Sequence, residues 1–211
     1  MSLYVPRAFA VDDRDALNQL IDEHPFATLV TPAAPEPFVS HVPLLREQGS
    51  GGDTALIGHF ARANPHWQHA SGVASIAIFH GPHAYVSPTW YAEPAQAVPT
   101  WNVAAVHVHG RLDLLPNAAD AERVLRALVE RFEGGGERAW RFTMEGRPRD
   151  ALVASIAAFR IVIERITGKF KLSQNRTPVD RRRVIEALNA VDHAEAKATA
   201  AWMRRFADPD A

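Results

Sequence analysis

Between His80 and Gly110 the chain alternates aromatic rings with groups that hydrogen-bond: Tyr85, Ser87, Trp90, Tyr91, Thr100, Trp101, Asn102, His107 and His109. Rings beside Ser, Thr, Asn and His suit a flat heteroaromatic ligand, because the faces supply stacking area and the polar groups fix orientation. A β-rich core with aromatic filler would use the same residue types. The Pro and Gly density of the stretch argues against a plain strand, since Pro cannot donate to a ladder.

Two further motifs could bind an anion. In His59-Phe60-Ala61-Arg62-Ala63-Asn64-Pro65 a strand runs into a short helix, with Asn64 as N-cap, Pro65 at the first helical position and Arg62 in the turn. Unpaired N–H groups at a helix start, together with a guanidinium, favour a phosphate; an ordinary cap beside a solvated Arg reads the same way. In Gly168-Lys169-Phe170-Lys171-Leu172-Ser173-Gln174-Asn175-Arg176, Lys169, Lys171 and Ser173 share a face if the segment is extended. Their charges and hydroxyl suit an anion or a polar ring edge. From Arg160 to Arg183 there are eight basic and two acidic residues, net +6, in a chain of formal net charge −1. A solvated basic surface is the plainer reading of that cluster and a phosphate or nucleic-acid contact the sharper one.

The histidines offer less. His107 and His109 alternate on a strand, and His80 and His83 flank a Gly-Pro pair. Imidazole is a common metal ligand, but no H-E-x-x-H or equivalent spacing appears, so no metal site is expected. Without a G-x-S-x-G elbow a serine hydrolase is not expected either, and no catalytic residue is assigned.

At 211 residues, 47% hydrophobic and 22% charged, the chain can bury a sizeable core as one large domain or as one domain with an appended helix. Its net charge gives no global field for nucleic acid or membrane. The absence of cysteine excludes disulfides, thiolate metal sites and thiol nucleophiles. The start, MSLYVPRAF, has no signal-peptide pattern, and no apolar run approaches the ~20 residues of a spanning helix. A cytoplasmic protein without membrane contact is expected.

These motifs need a scaffold of short strands. Apolar or alternating runs predict strands at Phe26 to Thr31, Phe38 to Arg46, Thr54 to Phe60, Val73 to Phe79, Tyr85 to Ser87 and Val103 to Leu115. Gly49-Ser50-Gly51-Gly52-Asp53 reads as a hairpin loop and lacks dinucleotide-binding spacing. Helices are predicted over Asp12 to His24, from Asn64-Pro65 to Ala70, over Ala118 to Phe132, Pro148 to Phe159, Thr177 to Ala190 and His193 to Phe206, with a late strand at Ile161 to Ile166. About six strands with Pro- and Gly-rich loops point to an α+β barrel rather than a parallel sheet.

Taken together, the segments resemble the PaiB family, described as FMN-binding negative transcriptional regulators with a split β-barrel like that of pyridoxamine-phosphate oxidase. The matching pieces are Tyr4-Val5-Pro6, His24 to Val30, Ser40 to Leu45, Gly58 to Pro65, Gly81 to Pro88, Pro99 to Asn102 and Gly168 to Asn175, in order over roughly residues 3 to 190. Val103 stands where the family pattern has Tyr, and Phe170 where it has Trp. The resemblance implies a six-stranded split barrel with peripheral helices over residues 1–190, a helical tail over residues 191–211, and a homodimer with flavin in a cleft between barrels. It places Ser40, His41, Arg62 and Asn64, with His59 in the same motif, around the phosphate and ribityl chain. It places Tyr85, Ser87, Trp101, Asn102, Lys169 and Gln174 near the ring, with Lys171 in the same basic motif.

Three function classes stay open: an FMN-binding regulator, a flavin-dependent oxidoreductase, and a haem- or metal-binding barrel using the histidines. DNA contact has no recognisable helix-turn-helix behind it; the helix bearing Arg181-Arg182-Arg183 is the one candidate surface.

Overall fold

The computed structural model describes residues 3–49 and 52–207. Eight strands lie among them: β1 (Ala10–Val11), β2 (Phe26–Thr31), β3 (Phe38–Pro43), β4 (Leu45–Gly49), β5 (Gly52–Ala61), β6 (Val73–Val86), β7 (Thr100–Leu114) and β8 (Ile156–Lys171). Six helices accompany them: α1 (Arg14–Glu23), α2 (His66–Ala70), α3 (Ala118–Glu133), α4 (Gly146–Ala154), α5 (Pro178–Ala190) and α6 (Ala194–Phe206). The sheet runs in the order β3-β2-β6-β7-β8-β5-β4, with β1 paired to β8. The pairings β1–β8, β2–β3, β2–β6, β4–β5 and β5–β8 are all antiparallel. The protein is therefore an α+β chain built on an antiparallel sheet. The tip of the expected hairpin loop, at residues 50 and 51, lies outside the described residues; the strands beside it pair with Gly49 opposite Gly52.

Contacts divide the chain into two compact units. The first comprises residues 3–23, 80–106 and 167–207 of those described. In it α1 buries Leu17, Leu20 and Ile21, and two glycines let the helix approach. A Cβ on Gly81 would lie 2.9 Å from Leu20 Cδ1, and one on Gly168 would lie 2.1 Å from Leu17 Cδ2. The Thr177 side chain accepts the Asp180 N–H at 3.1 Å and caps α5, which buries Val184, Ile185 and Leu188. The buried Phe170 ring meets Trp202 and Phe206 of α6 at 5.2 and 5.3 Å. Trp202, which an exposed tail helix would have offered to a partner, is thus buried within its own chain.

The second unit comprises residues 24–79 and 107–166, of which 50 and 51 are not described. Here α3 lays Ala121, Val124 and Leu128 on Ile57, Val153, Ile156 and Ala158. Gly134, at φ 67, ends α3 at Glu133, one residue past the Phe132 expected from the sequence. Along β3 the expected alternation holds: Ser40 and Val42 are buried, Val39 and His41 exposed.

Several boundaries differ from the sequence reading; the strand expected over Phe38 to Arg46, for one, is two, β3 and β4. The two strands expected at Val73 to Phe79 and Tyr85 to Ser87 are one 14-residue strand that continues through Gly81-Pro82. The helix expected over Pro148 to Phe159 ends at Ala154, and β8 begins at Ile156 and runs for 16 residues. Ile156-Ala157-Ala158-Phe159 is a short apolar run that periodicity cannot assign. Its pairing with Ala61, Phe60, His59 and Gly58 of β5 makes it a strand. With these changes, and with β1 and β4 added, eight strands stand where about six were expected.

Gly110 tests the packing. A Cβ there would lie 2.1 Å from the Val162 carbonyl oxygen, a backbone atom that cannot swing away, whereas the clash at Gly168 is with the end of a leucine side chain. Gly110→Ala should lower unfolding free energy by about 1–3 kcal/mol or more, and Gly168→Ala by less. Denaturant melts of the two variants check the order.

Candidate functional site

The residues expected to bind a ligand fall into two groups. Ser40, His41, His59, Arg62 and Asn64 belong to the second unit; Tyr85, Ser87, Trp101, Asn102, Lys169, Lys171 and Gln174 belong to the first.

In the second unit Ser40 and Asn64 are in direct contact, around a residue not singled out in the sequence. The Ser40 hydroxyl lies 2.8 Å from His66 Nδ1 and accepts the Asn64 amide at 3.0 Å, while Asn64 Oδ1 accepts the His66 N–H at 3.0 Å. The His66 ring is fully buried between Phe38 at 5.5 Å and Phe60 at 4.7 Å. Its Nε2 has no hydrogen-bond partner among the described residues. Burial, with a smaller contribution from the charge of His69, pushes its pKa down to about 4, so the ring is neutral at pH 7.

The backbone donors at this helix start are largely used. Asn64 N–H donates to Ala61 O, His66 N–H to Asn64 and Gln68 N–H to Pro65 O, and Pro65 has none. The Arg62 guanidinium lies 4.8 Å over the Trp67 ring, and Trp67 Nε1 donates to Arg62 O at 2.9 Å. Arg62 also lines a cavity of about 470 Å³ with Leu115, Asn117, Glu122, Arg149 and Val153. His41 faces outward, its Nδ1 3.1 Å from Thr28 Oγ1. His59 points to the opposite side of β5 from Phe60, with its Nδ1 buried and its pKa lowered by that burial.

In the first unit Trp101 and Tyr85 are 56% and 45% exposed and meet edge to face at 6.3 Å. They line a cavity of about 320 Å³ with His83, Trp90, Leu188 and Glu195. Glu195 accepts the His83 N–H at 3.2 Å, which ties α6 to β6 at the rim. One residue along β7, Asn102 points inward. It is buried, donates to Ser173 Oγ at 3.1 Å and to Met203 Sδ at 3.3 Å, and its Oδ1 accepts from Ser173. Lys171 donates to Thr100 Oγ1 and to Trp101 O. Gln174 holds Leu172 N–H and Phe170 O, and Ser87 caps the turn at Thr89. Lys169 sits 5.6 Å over the Tyr4 ring. Gln174 and Ser87 are thus occupied with holding backbone and Asn102 with the side chains of Ser173 and Met203, whereas Trp101 and Tyr85 present surface.

Among the described residues there is no group of three or more His, Cys, Asp or Glu placed to hold a metal ion; the His107 and His109 rings are 6.5 Å apart. No helix among the described residues is long and apolar enough to cross a membrane.

A family described as "Putative FMN-binding domain" matches residues 3–165. The chain is 32% identical over 203 residues to the protease synthase and sporulation protein PAI 2 of Bacillus subtilis, covering 95% of this chain and 96% of that protein. The chain belongs to the PaiB family. Two solved structures share the fold at 16% identity and a TM-score of 0.60. The FAD and heme binding protein from Mycobacterium smegmatis matches over 77% of this chain and 73% of its own. The flavocytochrome Anf3 from Azotobacter vinelandii matches over 79% and 72%.

The match to the FMN-binding domain ends at residue 165, so Lys169, Lys171, Gln174 and the two C-terminal helices lie beyond that domain. His66 and Glu195 are parts of these constellations that the sequence reading missed. For His66 the available signal was its place at the first helical residue after Asn64-Pro65, two positions from a cap that must also find a partner. Glu195 carried no signal, because its contact to His83 spans 112 residues.

His66 predicts an acid sensitivity. A histidine whose folded pKa lies below its unfolded value of 6.5 stabilises the fold above pH 6.5 and loses that contribution as pH falls toward 4. Each pH unit in that window should cost up to about 1.4 kcal/mol. Unfolding free energies measured between pH 7 and 4.5 should fall steeply for the parent and less steeply for His66→Leu; parallel slopes would rule the histidine out as the cause.

Proposed function

We propose that this PaiB-family chain is an FMN-binding regulatory protein, with the flavin ring lying against Trp101 and Tyr85. The observation that carries the reading is the exposed edge-to-face pair of these rings at the mouth of a cavity of about 320 Å³. That is within the size range of small-molecule sites, which are mostly apolar with a few placed polar groups. The family's description as an FMN-binding domain supports the same ligand. Direct DNA contact through α5 is not part of the proposal. Arg181 donates to Arg176 O at 2.9 Å and Arg183 to Trp90 O at 3.0 Å, so two of its three arginines serve the unit's own backbone.

Titration with FMN, followed by flavin absorbance and fluorescence, tests the reading. The parent should bind FMN. Trp101→Ala should bind it roughly tenfold or more weakly, since stacking a planar heterocycle on an aromatic side chain is worth ~1–3 kcal/mol. An unchanged circular dichroism melt would show that the exposed ring was not needed for folding. A parent that binds no FMN, or a variant that binds it as tightly, overturns the proposal.

The proposal includes a homodimer. On the outward face of β2 and β3, Phe26 lies opposite Pro43 and Val30 opposite Val39, with Phe26 65% and Val39 53% exposed. Such a cross-strand apolar face suits burial against a second copy. Sedimentation equilibrium at micromolar concentration should give twice the 23.2 kDa of one chain; a monomer would remove the shared-cleft arrangement.

A further inference from the structure

We propose that Lys169, Lys171 and Arg176 form a binding site for a phosphoryl group. Lys169 and Lys171 are two positions apart at the end of β8 and therefore share a face. The turn that follows brings back Arg176, whose N–H donates to Ser173 O at 2.9 Å. Ser173 holds a left-handed backbone, φ 68, that a serine rarely adopts. Asn102 grips its hydroxyl from both amide atoms, and Gln174 bridges Leu172 N–H and Phe170 O. Strained backbone persists where its surroundings over-determine it, and such places cluster at ligand sites.

What marks the three cations is that they stand together with no counter-charge among them. Several basic side chains elsewhere meet acids: Arg123 with Glu47, Arg126 and Arg149 with Glu122, Lys197 with Asp192. Among the described residues neither Lys169, Lys171 nor Arg176 pairs with a carboxylate. They rest instead on rings and neutral oxygens. Lys169 lies over Tyr4 at 5.6 Å, Lys171 over Phe9 at 6.0 Å, and Arg176 over Tyr91 at 4.6 Å. Lys171 also donates to Trp101 O at 2.6 Å. Burial holds the Lys171 pKa below the ordinary lysine range, and the charges of Lys169 and Arg176 push the same way. The three charges therefore repel one another across a half-buried surface with nothing to offset them. A carboxylate would neutralise one charge; a phosphate monoester, at about −1.5 to −2, neutralises most of the cluster. It also matches the planar fork of an arginine. Aromatic partners position the cations without competing for the anion.

The ligand has two possible sources: the phosphate of FMN, in which case the site belongs to the flavin reading above, or another phosphorylated molecule. Arg62, the phosphate candidate from the sequence, provides the control. The experiment measures binding of FMN, riboflavin and inorganic pyrophosphate by titration calorimetry. It compares the parent with Lys169→Gln, Arg176→Gln and Arg62→Gln, each checked for an unchanged melt. Lys169 and Arg176 are chosen because Lys171 is the more embedded of the three. In the parent, pyrophosphate should bind and should compete with FMN. Lys169→Gln and Arg176→Gln should each weaken FMN and pyrophosphate by roughly ten- to a hundredfold and leave riboflavin unchanged. Arg62→Gln should leave all three near parent values. If the parent binds pyrophosphate but no FMN, and both variants lose pyrophosphate, the phosphoryl site stands and the flavin reading falls. A parent that binds neither phosphorylated ligand overturns the proposal. So do Lys169 and Arg176 variants that bind both as the parent does, or a loss confined to Arg62→Gln.

Discussion

The first unit depends on keeping one buried amide satisfied. Asn102 sits in the middle of apolar packing, where an unmet hydrogen bond would cost about 1–3 kcal/mol. It finds partners on two separate stretches of chain: Ser173 after β8 and Met203 on α6. Those contacts fix the left-handed turn at Ser173, and the turn in turn sets where Lys171 leaves the strand and where Arg176 returns. Strand alternation does the rest. Because Asn102 faces in, Trp101 must face out, and the ring that offers binding surface and the amide that locks the fold are neighbours in sequence with opposite tasks.

Much of this was legible in the sequence. Thr177-Pro178 marked a real helix start with its cap, and Asn64-Pro65 marked a start that falls one residue later, with Pro65 itself at the cap. Local signals of this kind act within a turn, so they survive without knowledge of the fold. The failures were non-local. Gly81-Pro82 read as a break, yet α1 crosses at that glycine and needs its missing side chain, and the strand continues. Ile156 to Phe159 read as helix because only the pairing with β5 tells a short apolar run what to become.

For the candidate site the residue types were readable and their duties were not. Ser40, Asn64, Asn102 and Gln174 are polar residues in binding-like motifs, and each is engaged internally: Ser40 and Asn64 with a buried histidine, Asn102 with Ser173 and Met203, Gln174 with backbone. The basic motif was visible as an excess of charge. That its cations lack acidic partners, while others such as Arg126 and Arg149 have them, is a fact of three-dimensional neighbourhood. Net charge, at −1 for the chain, conceals such a separation completely.

The pairing of β1 with the end of β8, Ala10 opposite Lys169, has a consequence for how the chain reaches this state. The first unit is assembled from three stretches that are far apart in sequence, the last of them ending the described chain. A nascent polypeptide emerging from the ribosome cannot complete that unit until α5 and α6 have left the exit tunnel. Until β8 is made, α1 lacks the strand at Gly168 on which Leu17 packs. Topologies dominated by such distant contacts fold slowly, because the entropy of closing long loops is spent before the contacts return it. Larger chains with exposed apolar intermediates rely on chaperones during that interval. The arrangement that joins β1, β7 and α6 to the end of β8 thus ties the yield of folded protein to the speed and supervision of its synthesis.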